Sequence, residues 1–390
     1  MSWLNQERLT VYPAIFLGVY LILYGFLTLG GSGLLDREGF PLGRDFSHYW
    51  VASSLALAGE PAAVYDSARL EAARAAVFGK PRIRLPFLYP PTYLLMILPL
   101  GLLPYLAALA VFLLFSLAGY LWLVHRVAPH RLTVWLTLAF PGTFQNFFFG
   151  QNGFLTGVLL GGGLLLLDRY PLAGGFLLGL VSYKPHLAIL IPIALLAGRR
   201  WQALGAMVLA AVGLALASVL VLGSEVWAAF WKTVPSAMNL TQFPHWYNRP
   251  TVFSAVMLSG AGPIAAWIIQ GGVMLGVTAA LAWVWFRGAP AAIRFPILVL
   301  GILLFAPYAA VYDLAILAFP LAWLGWEGHT QGWLPGEQNL LVLGWLTPLV
   351  TPFLAKGTGL QLAPLVLLAL LALALRRAAR NPPLTNHGQG

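Results

Sequence analysis

The sequence predicts an all-α polytopic membrane protein, on three observations. Of its 390 residues 60% are hydrophobic and only 9% charged, where a water-facing domain carries charge on about 25% of its positions. The mean hydropathy is +0.81. The apolar residues fall in runs close to the roughly 20 residues that cross about 30 Å of hydrocarbon. A cytosolic enzyme, a nucleic-acid-binding domain and a disordered chain are excluded, because so few charges cannot clothe a soluble surface. The net charge of +10 sits in short loops between apolar runs, which fits the Lys/Arg excess of cytoplasmic loops rather than a nucleic-acid footprint. With no cysteine, disulfides and thiolate chemistry are excluded.

In chain order, the first run, 11–31, is too long for a signal-peptide core and reads as a retained signal-anchor helix. Further candidates are 105–124, 153–167, 201–222, 262–286, 295–310, 313–326, 339–354 and 360–375. Two regions are apolar but broken: 132–148 carries Pro141, and 171–198 reads as two half-helices split at Lys184-Pro185. Counting the split region twice gives about twelve membrane segments in a single transmembrane domain, 1–380, followed by a short disordered cytoplasmic tail, 381–390. The pairs Gly157/Gly161, Gly175/Gly179 and Gly272/Gly276 suit close helix packing.

Orientation follows from the basic residues. With the N-terminus inside, eleven of the 22 lie in inner loops against three, Lys232, Arg249 and Lys356, in short outer loops. Both termini are therefore expected in the cytoplasm of a plasma or inner membrane, with 32–104 and 224–260 on the extracytoplasmic face. The first outer loop holds six of the 12 carboxylates: Asp36, Glu38, Asp45, Glu60, Asp66 and Glu71. Within it, 46–58 reads as a helix stopped by Gly59 and Pro61. A second helix starts at an Asp66 or Ser67 cap and ends at Gly79, with Leu70, Ala73 and Val77 on its apolar face. The proline-rich stretch after it has an apolar part, 92–103, too short to span, which is expected to dip into the interface or pack against the bundle.

Several clusters carry chemistry, each with a plainer alternative. Asp45, His48 and Tyr49 share a helix face by their i, i+3, i+4 spacing, so Asp45 is either an N-cap or a general base beside the membrane. Lys184, with Pro185 and His186, is an intramembrane cation: either a functional group or a structural ion pair with Asp313, the carboxylate deep in the later helices. Gln151 and Asn152 follow the aromatic run 147–149 and suit either hydroxyl binding or a helix cap. His245 and Arg249 lie in an aromatic outer loop whose rings also serve as interface anchors. No metal-ligand spacing and no phosphate-cradling glycine motif is present, so neither a metal nor another cofactor is expected. Together, a carboxylate, cations and amphipathic segments suit a substrate with a lipid tail, a phosphate and a sugar. Transfer of a sugar from a lipid phosphate needs a base for the acceptor hydroxyl but no obligatory general acid, because phosphate leaves as a stabilised anion.

The stretches GRDFSHYWVASSLALAGEPAAVYD, PFLYPPTYLLMILPL, FFFGQNGFLTGVLLGGGLLLLDRYPLAGGFLLGLVSYKPHLAILIPIALLAGRRW and APYAAVYDLAILAFP resemble glycosyltransferase family 87, in the family's order over roughly 40–325. This family includes polyprenol-phosphate-mannose-dependent α-(1→2)-mannosyltransferases. The resemblance implies a GT-C-like bundle with its active site in the first extracytoplasmic loop, a polyprenyl-phosphate sugar donor and a lipid or glycan acceptor. It maps the catalytic aspartate onto Asp45, and the family's Tyr-Lys-Pro-His and Tyr-Asp elements onto Tyr183, Lys184 and His186 and onto Tyr312 and Asp313. Lys184 is assigned to the donor phosphate, and Tyr89 of PFLYPPTY joins the substrate-binding set. A β-linked donor and an α-linked product imply inversion. The rival reading is a transporter or flippase of a lipid-linked or small polar substrate, which also places broken helices and ionisable groups at the midplane.

Overall fold

The structure, a computed structural model, describes residues 5–79, 86–238 and 246–380. Among the described residues, five helices are long and apolar enough to cross a membrane: α1 (Gln6–Leu29), α5 (Tyr105–Val127), α12 (Trp201–Leu222), α15 (Gly262–Phe286) and α18 (Glu337–Thr358). Most of the shorter apolar helices are organised as three hairpins.

The first hairpin rises through α6 (Arg131–Leu138) and α7 (Pro141–Phe148) and returns through α8 (Gly153–Leu166). Pro141 opens α7 at its first turn, where its missing N–H costs nothing, and so breaks the 132–148 run into two pieces. The second hairpin is α9 (Pro171–Leu180), a 3-10 turn over Val181–Tyr183, then α10 (Pro185–Ala188) and α11 (Leu190–Ala197). Its split at Lys184-Pro185 is where the sequence puts it. The third is α16 (Ala291–Phe305), a 3-10 segment over Val311–Leu317, and α17 (Ala318–Gln331). The expected helix 313–326 therefore starts later. Asp313 Oδ2 accepts the Ala310 N–H at 2.9 Å, closing a tight turn that the backbone follows before α17 begins. Ten residues of α9 reach only about 15 Å at the helical rise, half the hydrocarbon thickness.

All three hairpins stand on one face of the bundle. Asp168, in the turn between α8 and α9, takes Arg200, before α12, at 2.8 Å and also Arg294 in the first turn of α16. On that face Arg377 of α19 (Ala363–Arg380) meets the buried Glu337 of α18 at 2.5 Å. The hairpin tips lie toward the opposite face. There the chain between α1 and α5 packs as α2 (Phe46–Leu57), α3 (Ser67–Phe78) and the short α4 (Pro91–Ile97). Asp66 caps α3 by accepting from Ala68 N and Arg69 N, and Gly79 ends it at φ 75. The buried face of α3 differs from expectation: it is Leu70, Arg74 and Phe78, while Val77 is exposed. Arg74 turns inward because Glu71 (3.2 Å) and Ser47 (3.3 Å) meet its guanidinium. The expected cytoplasmic tail, 381–390, lies outside the described residues, as does His245. Across this face also run α13 (Ser224–Met238) and α14 (Val252–Leu258).

Two devices seal breaks in the helices. Pro352, inside α18, has no N–H for the Pro348 carbonyl, and Gln145 Nε2 of α7 donates to that oxygen at 2.5 Å instead. Where α16 stops, Gln270 of α15 donates to the carbonyls of Leu304 (3.0 Å) and Phe305 (3.3 Å). Of the small-residue pairs, Gly175 and Gly179 do bring α9 against α12, where added methyls would run into the backbone carbonyls of Ala203 and Met207. Gly157 and Gly161 receive the rings of Tyr120 and Phe319. Among the described residues nothing lies within 4 Å of a methyl added at Gly272 or Gly276, so the third pair, against expectation, meets no helix here.

These contacts predict opposite signs for one substitution type. Gly175→Ala should lower the apparent Tm in detergent by several degrees. Gly272→Ala should leave it unchanged or raise it, because a helical glycine costs about 1 kcal/mol relative to alanine. Thermal unfolding of the two variants beside wild type checks both.

Candidate active site

The three hairpin tips meet, and hydrogen bonds show how. On the second tip, the Tyr183 hydroxyl lies 2.7 Å from Thr156 Oγ1 and 3.3 Å from the Asn152 carbonyl of the first. Lys184 Nζ, also on the second, donates to Asp313 Oδ1 of the third at 2.6 Å. Both partners are buried, with side-chain exposures of 2% and 4%. This is the pairing with Asp313 that the sequence reading named for Lys184. The first tip closes on itself as well, through Asn146 Nδ2 to the Gln151 carbonyl (3.0 Å) and Gly153 N to Asn146 Oδ1 (2.7 Å).

The first tip then joins the segment between α1 and α5. Gly150 adopts φ +61, and an added methyl would strike the Gly43 carbonyl, so only glycine lets the backbones come this close. Asp45 N donates to the Phe149 carbonyl at 3.1 Å. Asp45 stands at the N-cap position of α2, but its side chain makes no cap hydrogen bond. Its Oδ2 accepts instead from Gln151 Nε2 at 2.7 Å. Gln151 Oε1 in turn accepts from Tyr49 at 2.5 Å, and the Tyr49 hydroxyl is 3.0 Å from that of Tyr89. The cap alternative for Asp45 thus gives way to a side-chain relay, Tyr89–Tyr49–Gln151–Asp45, in which Gln151 orients the carboxylate. Burial pushes the Asp45 carboxyl above the ordinary carboxylate range; Gln151 and the charges of Arg44 and Arg74 hold it partly back.

A cavity of about 610 Å³ opens beside this carboxylate. Among the sequence candidates, Asp45 and Tyr312 line it. One end has Tyr247, Asn248 and Lys356, and its side wall is formed by Ile15, Val19, Leu23 and Phe353, which are themselves exposed on the surface of α1 and α18. The cavity is therefore polar at one end and opens between two helices onto the apolar surface of the bundle. The other described candidates are not among its lining residues. Arg249 is half-buried and within electrostatic reach of Tyr312 and Asp313. Its backbone carbonyl, with that of Tyr247, is held by Gln361 Nε2 at 3.0 and 3.2 Å. His186 stacks edge-on to Tyr308 at 6.5 Å between ring centroids. His48 is buried beside Asp45 in sequence but does not line the cavity.

Sequence reasoning missed Lys356, Tyr247 and Arg74. Lys356 counted only as one outer-loop charge, yet it sits in the last turn of α18 with its ammonium 5.8 Å from the Tyr247 ring. The signal available was Pro352, which fixes how the end of α18 meets α7. Helical periodicity leaves Arg74 off the apolar face of α3, because it does not see Glu71 and Ser47 drawing the guanidinium inward.

Pinning the tips with a buried pair makes a signed prediction. Asp313→Ala should cost roughly 3–5 kcal/mol of stability, since it strands the Lys184 ammonium in an apolar interior. The Lys184→Met/Asp313→Leu double variant should recover most of it. Unfolding midpoints in detergent for the single and double variants measure the difference.

A family model, glycosyltransferase family 87, matches residues 87–307. Neither a curated protein nor a solved structure matches the chain.

Proposed function

The chain belongs to glycosyltransferase family 87, and on that basis we propose that this membrane glycosyltransferase moves a hexose, mannose in our reading, from a polyprenyl-phosphate donor to a lipid or glycan acceptor at the extracytoplasmic face. The observation that carries the reading is the cavity: a carboxylate at its polar end, a lysine at its rim and a side wall open to the hydrocarbon. A polyprenyl tail would lie against Ile15, Val19, Leu23 and Phe353 while the phosphate and sugar enter beside Lys356 and Asp45. The GT-C-like architecture belongs to the same proposal.

In this mechanism Asp45 is the general base. It takes the proton of the acceptor hydroxyl as that oxygen bonds to the anomeric carbon; the bond from that carbon to the phosphate oxygen breaks, and polyprenyl phosphate leaves with the electron pair. One displacement from the face opposite the leaving group inverts the anomeric centre. Lys356 balances charge growing on the phosphate, assisted by Arg249. Lys184 acts by holding the tips that carry Gln151 and Tyr312, its charge matched by Asp313. Tyr49 and Tyr89 orient Gln151, Tyr312 joins Asp45 in the wall around the sugar, and Asn152, Tyr183, His186 and His48 support that wall from outside the cavity lining.

The direct test incubates purified protein with labelled polyprenyl-phosphate mannose and host membrane lipids. Wild type should transfer label to a new lipid or glycan, and Asp45→Asn should transfer at least about 10²-fold less. No transfer by folded wild type from any polyprenyl-phosphate sugar would sink the donor assignment and shift weight to transport. Lys356→Ala should raise KM for the donor about 10-fold with a smaller change in kcat, the loss of one charge-assisted contact.

The pH profile provides a further check. The base must be ionised, so activity falls as pH drops through the Asp45 pKa, which burial has raised. Gln151→Leu removes a donor that favours the carboxylate, so the acid limb of kcat/KM should move to higher pH. An unmoved acid limb in a folded Gln151→Leu enzyme would contradict Asp45 as the base.

A further inference from the structure

A second cavity, of about 670 Å³, lies at the other end of α1. It shares Phe16 with the cavity beside Asp45, so the two lie end to end beneath the helix. Arg8, which lines the second, and Tyr20, which lines the first, are twelve residues apart on α1, about 18 Å along its axis. A sugar held at Asp45 therefore leaves this second space for another molecule.

Its lining divides sharply. The body is apolar, with Leu9, Leu136, Leu321 and Val342 among its walls. The polar end presents Arg8, His130 and His329, beside Tyr12, Trp326 and Trp333, and among the described residues no Asp or Glu lines the cavity. His130 Nδ1 accepts the Leu132 N–H at 3.2 Å, so the neutral ring carries its proton on Nε2 and is a donor there. The His130 and His329 rings lie 5.8 Å apart, centroid to centroid. A cation and imidazole donors, set at an aromatic girdle above an apolar slot, match an anionic headgroup with its acyl chains below. α1 itself buries only Pro13 and Tyr20, so little of its own surface seals the slot.

From this we infer that the cavity is a binding site for one anionic glycerophospholipid of the leaflet on the side away from Asp45. The headgroup phosphate meets Arg8, His130 and His329, and an acyl chain fills the space between α1, α17 and α18. The lipid thereby fastens α1, which also forms the side wall of the cavity beside Asp45.

The test titrates delipidated full-length protein in mild detergent with phosphatidylglycerol, phosphatidylcholine or polyprenyl phosphate, and counts bound lipid by native mass spectrometry. One phosphatidylglycerol should bind at least about 10-fold tighter than phosphatidylcholine. Ala322→Trp, which fills the slot, should abolish that binding. The exposed pair Arg8→Gln/His329→Gln should bring the two lipids to equal affinity, and it carries the test should Ala322→Trp fail to fold. Equal binding of the two lipids by wild type, preferential binding of polyprenyl phosphate, or unchanged selectivity in the Arg8→Gln/His329→Gln protein would each overturn the assignment.

Discussion

The arrangement depends on one constraint: half-depth helices bring irregular backbone and polar side chains into an apolar interior, and these must satisfy one another. The buried Lys184–Asp313 pair, at 2.6 Å, is the central instance. Neither charge has water to fall back on, so each requires the other. Because Lys184 sits on the second tip and Asp313 on the third, meeting that requirement fixes the tips together. Tyr183 then reaches Thr156 on the first tip, and Gln151 reaches Asp45. The position of the carboxylate is thus the last link of a chain that begins with an ion pair on other hairpins.

The same arrangement separates two electrostatic tasks. Charges that hold the bundle together are paired: Lys184 with Asp313, Arg377 with Glu337, and Arg200 and Arg294 with Asp168. The charges facing the cavity, Asp45 and Lys356, stand on different elements, one on the segment between α1 and α5 and the other in the last turn of α18. Under the proposed reading an acceptor and an anionic donor enter between them without breaking an internal pair. The apolar side wall formed by α1 and α18 supplies the lipid phase with direct access to that point.

Much of this was legible in the sequence because apolar run length and proline position report directly on the bilayer. The break at Lys184-Pro185, the Asp66 cap and the stop at Gly79 follow from local chemistry, as do the long helices. The Lys184–Asp313 pair was legible as an alternative because each is a lone buried charge in its own region. What was not legible depends on tertiary placement. Nothing local shows Arg74 turning inward, Lys356 reaching the cavity rim or Asp45 preferring Gln151 to its own helix end. The Gly272/Gly276 pair failed for the converse reason: spacing shows that helices could approach there, not that a partner exists.

The measurement that tests the account most directly is a structure of the protein in lipid nanodiscs with a non-hydrolysable polyprenyl-phosphate sugar bound. The account places the sugar's anomeric carbon beside the Asp45 carboxylate, the phosphate near Lys356 and the prenyl chain between α1 and α18, with Lys184 still on Asp313. A donor phosphate bound by Lys184 in place of Asp313, or a sugar remote from Asp45, would contradict it.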